Sequence, residues 1–167
     1  MKKSLRKIWE QCKKWSHENR AVPGALAALF VLDQVTKGMA RVYLAGNPVE
    51  IFPFFWLNYV ENTGAAFGIL QHGNAVLVFI MLGIMAYMVW SWKELISYGR
   101  LAKWGAVLIL AGAIGNLFDR ITLGFVVDFL DFRVWPVFNA ADSFITIGAC
   151  LLGLAFLQSM RKKGEKQ

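Results

Sequence analysis

The sequence predicts an all-α membrane protein: four transmembrane helices carrying a small extracytoplasmic sheet. Three observations point there. Hydrophobic residues make up 57% of the 167-residue chain, and the mean hydropathy is +0.46, too apolar for a soluble domain of this size. The apolar residues gather in four runs, Ala21–Tyr43, Ala75–Trp92, Leu101–Phe118 and Ala140–Met160, each close to the roughly 20 helical residues that cross a hydrocarbon core. The basic residues concentrate in alternate connecting segments.

Taken in order, Met1–Arg20 is a basic amphipathic stretch with Ile8, Trp9, Cys12 and Trp15 at near-helical spacing. Such a stretch lies on a bilayer face and serves as an anchor. The first apolar run is not a cleavable signal peptide: its basic preface is long, no small-residue cleavage site follows, and Asp33 and Lys37 interrupt it. The outer loop Ala45–Asn74 contains Pro48, Pro53, Gly64, Gly68 and Gly73, with a β-prone alternation over Ile51–Tyr59. Its aromatics Phe52, Phe54, Phe55 and Trp56 suit a membrane–water interface. The second run ends in Trp90 and Trp92, and the third ends near Arg120. The outer segment Ile121–Phe138 is short and largely apolar, so it hugs the bilayer or packs over the helices. The fourth run starts near Asn139 and ends in a basic tail. The expected organisation is therefore a cytoplasmic segment 1–20, one transmembrane domain 21–160 with its sheet at about 45–74, and a cytoplasmic tail 161–167.

Orientation follows from charge. Met1–Arg20, Lys93–Lys103 and Arg161–Gln167 hold 7, 3 and 4 of the 18 Lys and Arg residues. The positive-inside rule puts both termini and the middle loop in the cytoplasm. The net charge of +7 is then a topology signal, and no nucleic-acid partner is expected. Cys12 and Cys150 fall at different levels, which argues against a disulfide. His17 and His72 stand alone, and no Cys or His group has metal-site spacing.

Against this apolar background the acids stand out, because an ionised carboxylate in hydrocarbon costs several kcal/mol. Asp33 lies 13 residues past Arg20, about 20 Å along a helix rising 1.5 Å per residue. Asn116, Asp119 and Arg120 lie at the outer end of the third helix, and Asp142 in the first turn of the fourth. Asp128 is in the segment joining them, and Asn62 is in the first outer loop. These groups converge on one layer near the outer boundary, whereas an ion pump needs ionisable groups nearer the midplane.

Asp128 and Asp142 form the pair of interest. Two carboxylates held close cannot both ionise easily, so one keeps a proton. That supplies a base to activate water and an acid to polarise a carbonyl, the aspartic-protease logic. Structural readings stand beside this one. Asn139 and Asp142 are spaced as an N-cap and an acidic third residue of a helix. Asp128 can be an ordinary polar loop residue. Asp33 and Lys37 are spaced as an intrahelical ion pair, Asp119 beside Arg120 as a helix-end salt bridge, and Gly112 and Gly115 as helix-packing positions.

Five segments appear in order: Asp33-Gln34-Val35-Thr36-Lys37, Asn62-Thr63-Gly64-Ala65-Ala66-Phe67, Gly112 through Arg120, Val126-Val127-Asp128-Phe129, and Phe138-Asn139-Ala140-Ala141-Asp142-Ser143. In these the chain resembles the bacterial lipoprotein signal peptidases (signal peptidase II), over roughly Leu32 to Gly153. The resemblance implies an intramembrane aspartyl endopeptidase with four transmembrane helices and an outer β-cradle. It implies cleavage of prolipoproteins before a diacylglyceryl-modified cysteine, with no cofactor and no metal. Asp128 and Asp142 are implied as the catalytic dyad. Asn62 and Arg120 are implied at the substrate backbone or lipid head, Asn116 and Asn139 as holders of the dyad, and Asp33 as a buttress with Lys37 beside it, with Gly112 also supporting. The implied setting is the bacterial inner membrane, both termini cytoplasmic and the site near the outer leaflet, in a monomer that contacts membrane lipids and binds globomycin-type inhibitors. An additional acid, Asp131, sits beside the matched Asp128 segment. Two other readings are a small proton-coupled transporter with Asp33 as carrier, and a non-catalytic scaffold.

Overall fold

The computed structural model describes residues 19–64 and 74–164. Within them the chain runs α1 (Val22–Tyr43), β1 (Val49–Phe52), β2 (Phe55–Asn62), α2 (Asn74–Trp90), α3 (Trp92–Ser97), α4 (Arg100–Thr122), β3 (Val126–Asp131) and α5 (Ala140–Gly164). The amphipathic stretch read in Met1–Arg20, apart from Asn19 and Arg20, falls outside the described residues, as does His72.

The first helix is inside out relative to one in a soluble protein. In α1 the buried residues are Asp33, Lys37 and Ala40, while Val31, Leu32, Val35 and Met39 are each at least half exposed. The same holds for Phe79 and Val89 of α2 and Leu157 of α5. Apolar side chains this exposed fit a hydrocarbon solvent, and buried charges fit a bundle interior. The helices α4 and α5, with 23 and 25 residues, are long and apolar enough to cross a membrane, and α2 is a shorter apolar helix. One expected boundary shifts: the second apolar run breaks at Ser91, between α2 and α3. The third helix ends at Thr122, close to the expected Arg120, with Asp119 and Arg120 held by buried partners.

α4 is the central element, in contact with α1, α2, α3 and α5. Its approach to α5 is closest where side chains are missing. A Cβ on Gly148 would sit 2.6 Å from the carbonyl oxygen of Gly105, and one on Gly112 would strike the Ala141 carbonyl. Small residues of this kind let transmembrane helix backbones approach. Gly148→Ala therefore forces the two backbones apart, with an expected loss of about 1–3 kcal/mol. Unfolding of the variant in detergent checks this, and an unchanged midpoint refutes it.

The sheet has the order β1-β2-β3 and both pairings are antiparallel. The sequence suggests strands only in the first outer loop and leaves Ile121–Phe138 as an irregular segment. That segment instead supplies β3, with Val60 opposite Asp128 and Asn62 opposite Val126. Alternation divides its side chains. Val127 and Phe129 pack on Ala40 and Leu44 at the end of α1, so Asp128, between them, points to the opposite side. The free edge of β3 is closed by Phe138, whose carbonyl accepts from the amides of Phe129 (3.0 Å) and Leu130 (2.8 Å). This return pairing delivers the chain to Asn139 and the start of α5.

Candidate active site

Asp128 and Asp142 face one cavity of about 560 Å³, bounded by β2, whose Glu61 is also on the wall, by the 135–138 segment and by the helices α2, α4 and α5. Asp128 comes from β3 and Asp142 from the first turn of α5. Their separation of 14 residues in sequence is closed by the Phe138 bridge.

Three asparagines hold them. Asn139 Nδ2 donates to Asp128 Oδ1 at 2.7 Å, and Asn62 Nδ2 donates to Asp128 Oδ2 at 2.9 Å. Asn116 Nδ2 donates to Asp142 Oδ1 at 2.7 Å. Asn139 is also the N-cap of α5. Its Oδ1 accepts from the Asp142 amide at 2.9 Å, and its own amide donates to Asp142 Oδ2 at 3.3 Å. This reciprocal capping box realises the structural reading of Asp142, yet it occupies only one carboxylate oxygen. The other faces Asn116 beside the cavity, so the residue caps the helix and lines the site together.

Behind the asparagines lies a buried ionic core. Lys37, 2% exposed, has three acceptors for its three donors: Asp33 Oδ2 at 2.9 Å, Asp119 Oδ2 at 3.0 Å and Asn116 Oδ1 at 2.9 Å. Each acid is further tied. Asp33 Oδ1 accepts from the Ala141 amide (2.9 Å), which fastens α1 to the start of α5. Asp119 Oδ2 accepts from the Val127 amide (3.2 Å), which fastens α4 to β3. Gln34 Nε2 bridges Asp33 Oδ2 and Asp119 Oδ1 at 3.1 and 3.0 Å. A buried charge is tolerated only when its remaining hydrogen bonds are also made. Lys37 also fixes Asn116: the amide oxygen accepts from Lys37 and from Asn139 Nδ2 (3.2 Å), leaving the amide nitrogen for Asp142.

Arg120 reaches the cavity from the last turn of α4. Its Nη2 donates to the Gly64 carbonyl at 2.7 Å and its Nη1 to Asn74 Oδ1 at 3.2 Å, while Asn74 Nδ2 donates to the Arg120 carbonyl at 3.0 Å. The guanidinium thus joins the end of β2 to the start of α2. Asp119 pairs with Lys37 and not with its neighbour Arg120, as the adjacent spacing had suggested. Asp131 is separate from the pair. It bonds Asn58, the Arg133 amide (2.7 Å) and the Arg133 guanidinium at the turn after β3. Burial alone would push its carboxyl up, but these three donors hold it below the usual value.

Burial pushes the Asp128 carboxyl up to about 7, with the charge of Asp142 adding to the rise. The hydrogen bonds from Asn62 and Asn139 and the charge of Lys37 act the other way. A pair of this kind shares a proton near neutral pH. One member can take a proton from water while the other gives one to a carbonyl oxygen. Among the described residues, no group of three or more His, Cys, Asp or Glu is placed to hold a metal ion.

The model of the family described as signal peptidase (SPase) II matches residues 25–158. The chain belongs to the signal peptidase II family. The family consists of aspartic peptidases, which accords with two carboxylates facing one cavity. Among its members, the lipoprotein signal peptidase of Caldanaerobacter subterraneus is 46% identical over 134 residues, covering 77% of this chain and 90% of the relative. That of Pelotomaculum thermopropionicum is 38% identical over 144 residues, covering 85% and 95%. A solved bacterial membrane enzyme superposes with a TM-score of 0.79 at 32% identity, covering 88% of this chain and 93% of that one.

Of the sequence-derived residues of this signal peptidase II, the structure brings Asp33, Lys37, Asn62, Asn116, Asp128, Asn139 and Asp142 into one connected network, which Arg120 joins through Gly64, whose amide donates to Asn62 Oδ1. Gly112 lies at the α4–α5 contact and not on the cavity wall. Sequence reasoning missed Gln34 as a bridge and Gly115 as a niche, where a Cβ would collide with Asp33 Oδ2. Gln34 sits next to Asp33 and three residues before Lys37, a spacing that could have marked it as part of the same helix face.

Proposed function

We propose that the chain is a lipoprotein signal peptidase whose catalytic pair is Asp128 and Asp142, acting on prolipoproteins that carry a diacylglyceryl cysteine. The observation that carries this reading is the single cavity faced by both carboxylates, each oriented by asparagines. In the resting pair one carboxyl is protonated and the other ionised. The ionised carboxylate takes a proton from a water molecule as its oxygen attacks the scissile carbonyl carbon. The protonated carboxyl gives its proton to the carbonyl oxygen. Collapse of the tetrahedral adduct breaks the C–N bond: the new amine leaves with the proton taken from water, and one hydroxyl of the adduct returns its proton to the carboxylate that gave it, restoring the pair.

The membrane reading follows the same geometry. α1, α2, α4 and α5 form four spans in one domain, residues 21–160, with α3 in the cytoplasmic middle loop, both termini in the cytoplasm and the cavity near the outer leaflet. The cavity wall includes Met81 of α2 and Ile145 of α5, a lateral boundary through which a membrane-embedded signal helix can present its end. Asn62 and Arg120 lie on the wall that a bound peptide would meet. Globomycin-type cyclic peptides compete for the same cavity, and the enzyme works as a monomer. Transport through Asp33 has no support: this side chain is 0% exposed and engaged by Lys37, Gln34 and the Ala141 amide.

The direct test is cleavage in detergent of one prolipoprotein with and without its diacylglyceryl group. Cleavage before the modified cysteine, blocked by globomycin, is expected, and no cleavage of the lipidated form refutes the reading. A pH profile adds a second check. Activity needs the shared proton, so kcat/KM should fall as pH rises through about 7, where Asp128 ionises. Asn62→Ala removes a donor that favours the ionised carboxylate, so that limb should move to higher pH. A shift to lower pH contradicts the assignment.

A further inference from the structure

At the end of the bundle opposite the carboxylates, α1 and α2 both lean on α4 and scarcely on each other. The gap between them is a groove of about 600 Å³. Its apolar part is formed by Val22, Pro23, Val89 and Leu110, flanked by Trp90 and Trp92, and Arg20 and Lys93 also line it. Asn19 is shared with a smaller cavity of about 330 Å³, which Arg100 and Lys103 line. No acidic side chain lines either space among the described residues, and the nearby Glu94 faces a different groove with Tyr98 and Phe156.

We propose that this is a binding site for one anionic phospholipid, separate from the peptidase site. An apolar slot bordered by two cations fits an amphiphile with a negative head: the acyl chain lies along Val89 and Leu110, and the phosphate lies between Arg20 and Lys93. Free phosphate would leave the apolar slot unused. A zwitterionic lipid would set its own cation against these two. The tryptophans suit the headgroup level of a bilayer, and basic residues near anionic lipid attract it.

The test uses the full chain in detergent with equimolar phosphatidylglycerol and phosphatidylcholine of matched acyl chains, with retained lipid counted by native mass spectrometry. One phosphatidylglycerol should be retained with roughly tenfold preference. That preference should vanish in the double variant Arg20→Gln/Lys93→Gln and in Val89→Trp, which fills the slot. It should survive in Lys162→Gln/Lys163→Gln, which removes the same charge from the end of α5. Equal retention of the two lipids overturns the proposal, as does an equal loss in the Lys162/Lys163 variant, which would mean diffuse charge attraction. Displacement of the lipid by millimolar inorganic phosphate also overturns it, in favour of a simple anion site.

Discussion

Asp128→Asn is expected to lower prolipoprotein cleavage by a factor on the order of 10⁴ or more, the scale seen when one member of a catalytic unit is removed. The substitution preserves shape but leaves no titratable proton at that position. It also presents an amide NH₂ where Asn62 and Asn139 both donate, so one of them loses its acceptor, at a cost of about 1–3 kcal/mol in stability. The two effects are separable. Cleavage of a lipidated substrate reads the first, and unfolding in detergent reads the second. Substantial residual cleavage by a folded Asp128→Asn protein excludes the carboxylate pair. The double variant Asp128→Asn/Asp142→Asn should be little worse than either single one, as the proposed pairing requires of residues that act as a unit; multiplying losses would mean independent roles.

The second large effect is expected from Lys37→Met. It leaves Asp33 and Asp119 buried at 0% and 2% exposure without their common cation. Removing one partner of a buried pair costs about 3–5 kcal/mol, here within a helix bundle whose first and fourth helices meet at that ammonium, with the fifth tied on through Asp33 and the Ala141 amide. Chemical unfolding in detergent measures it. A loss below about 1 kcal/mol would mean that solvent or relaxation replaces the lysine. Cleavage should fall as well, because Asn116 loses the donor that orients its amide toward Asp142. A double-mutant cycle with Asn116→Ala distinguishes that route: strong coupling in kcat is expected, and additivity rejects it.

Much of the site could be read from the chain. Asp33 and Lys37 are one helical turn apart, and Asn139 and Asp142 have capping-box spacing, so local geometry alone suggested the contacts now seen at 2.9 and 3.3 Å. Asp119 was harder. Its neighbour Arg120 offered an obvious partner, but residues adjacent on a helix point in different directions, and the true partner lies 82 positions earlier in sequence. The strand Val126–Asp131 was hidden for a related reason. A short apolar segment at a membrane surface carries little periodic signal, and it becomes a strand only because β2 and Phe138 offer it edges to pair with.

Composition and hydropathy pattern alone determined that the chain belongs in a membrane, because an apolar run of membrane-spanning length has few other stable environments, and local spacing marked the acids worth attention. Tertiary structure decided what those acids touch. Which side of β3 carries Asp128, which oxygen of Asp142 remains at the cavity, and why Lys37 can be buried at all depend on hydrogen bonds between residues far apart in sequence. Only the packed bundle exposes those bonds, since burial makes each donor find an acceptor wherever the fold has placed one.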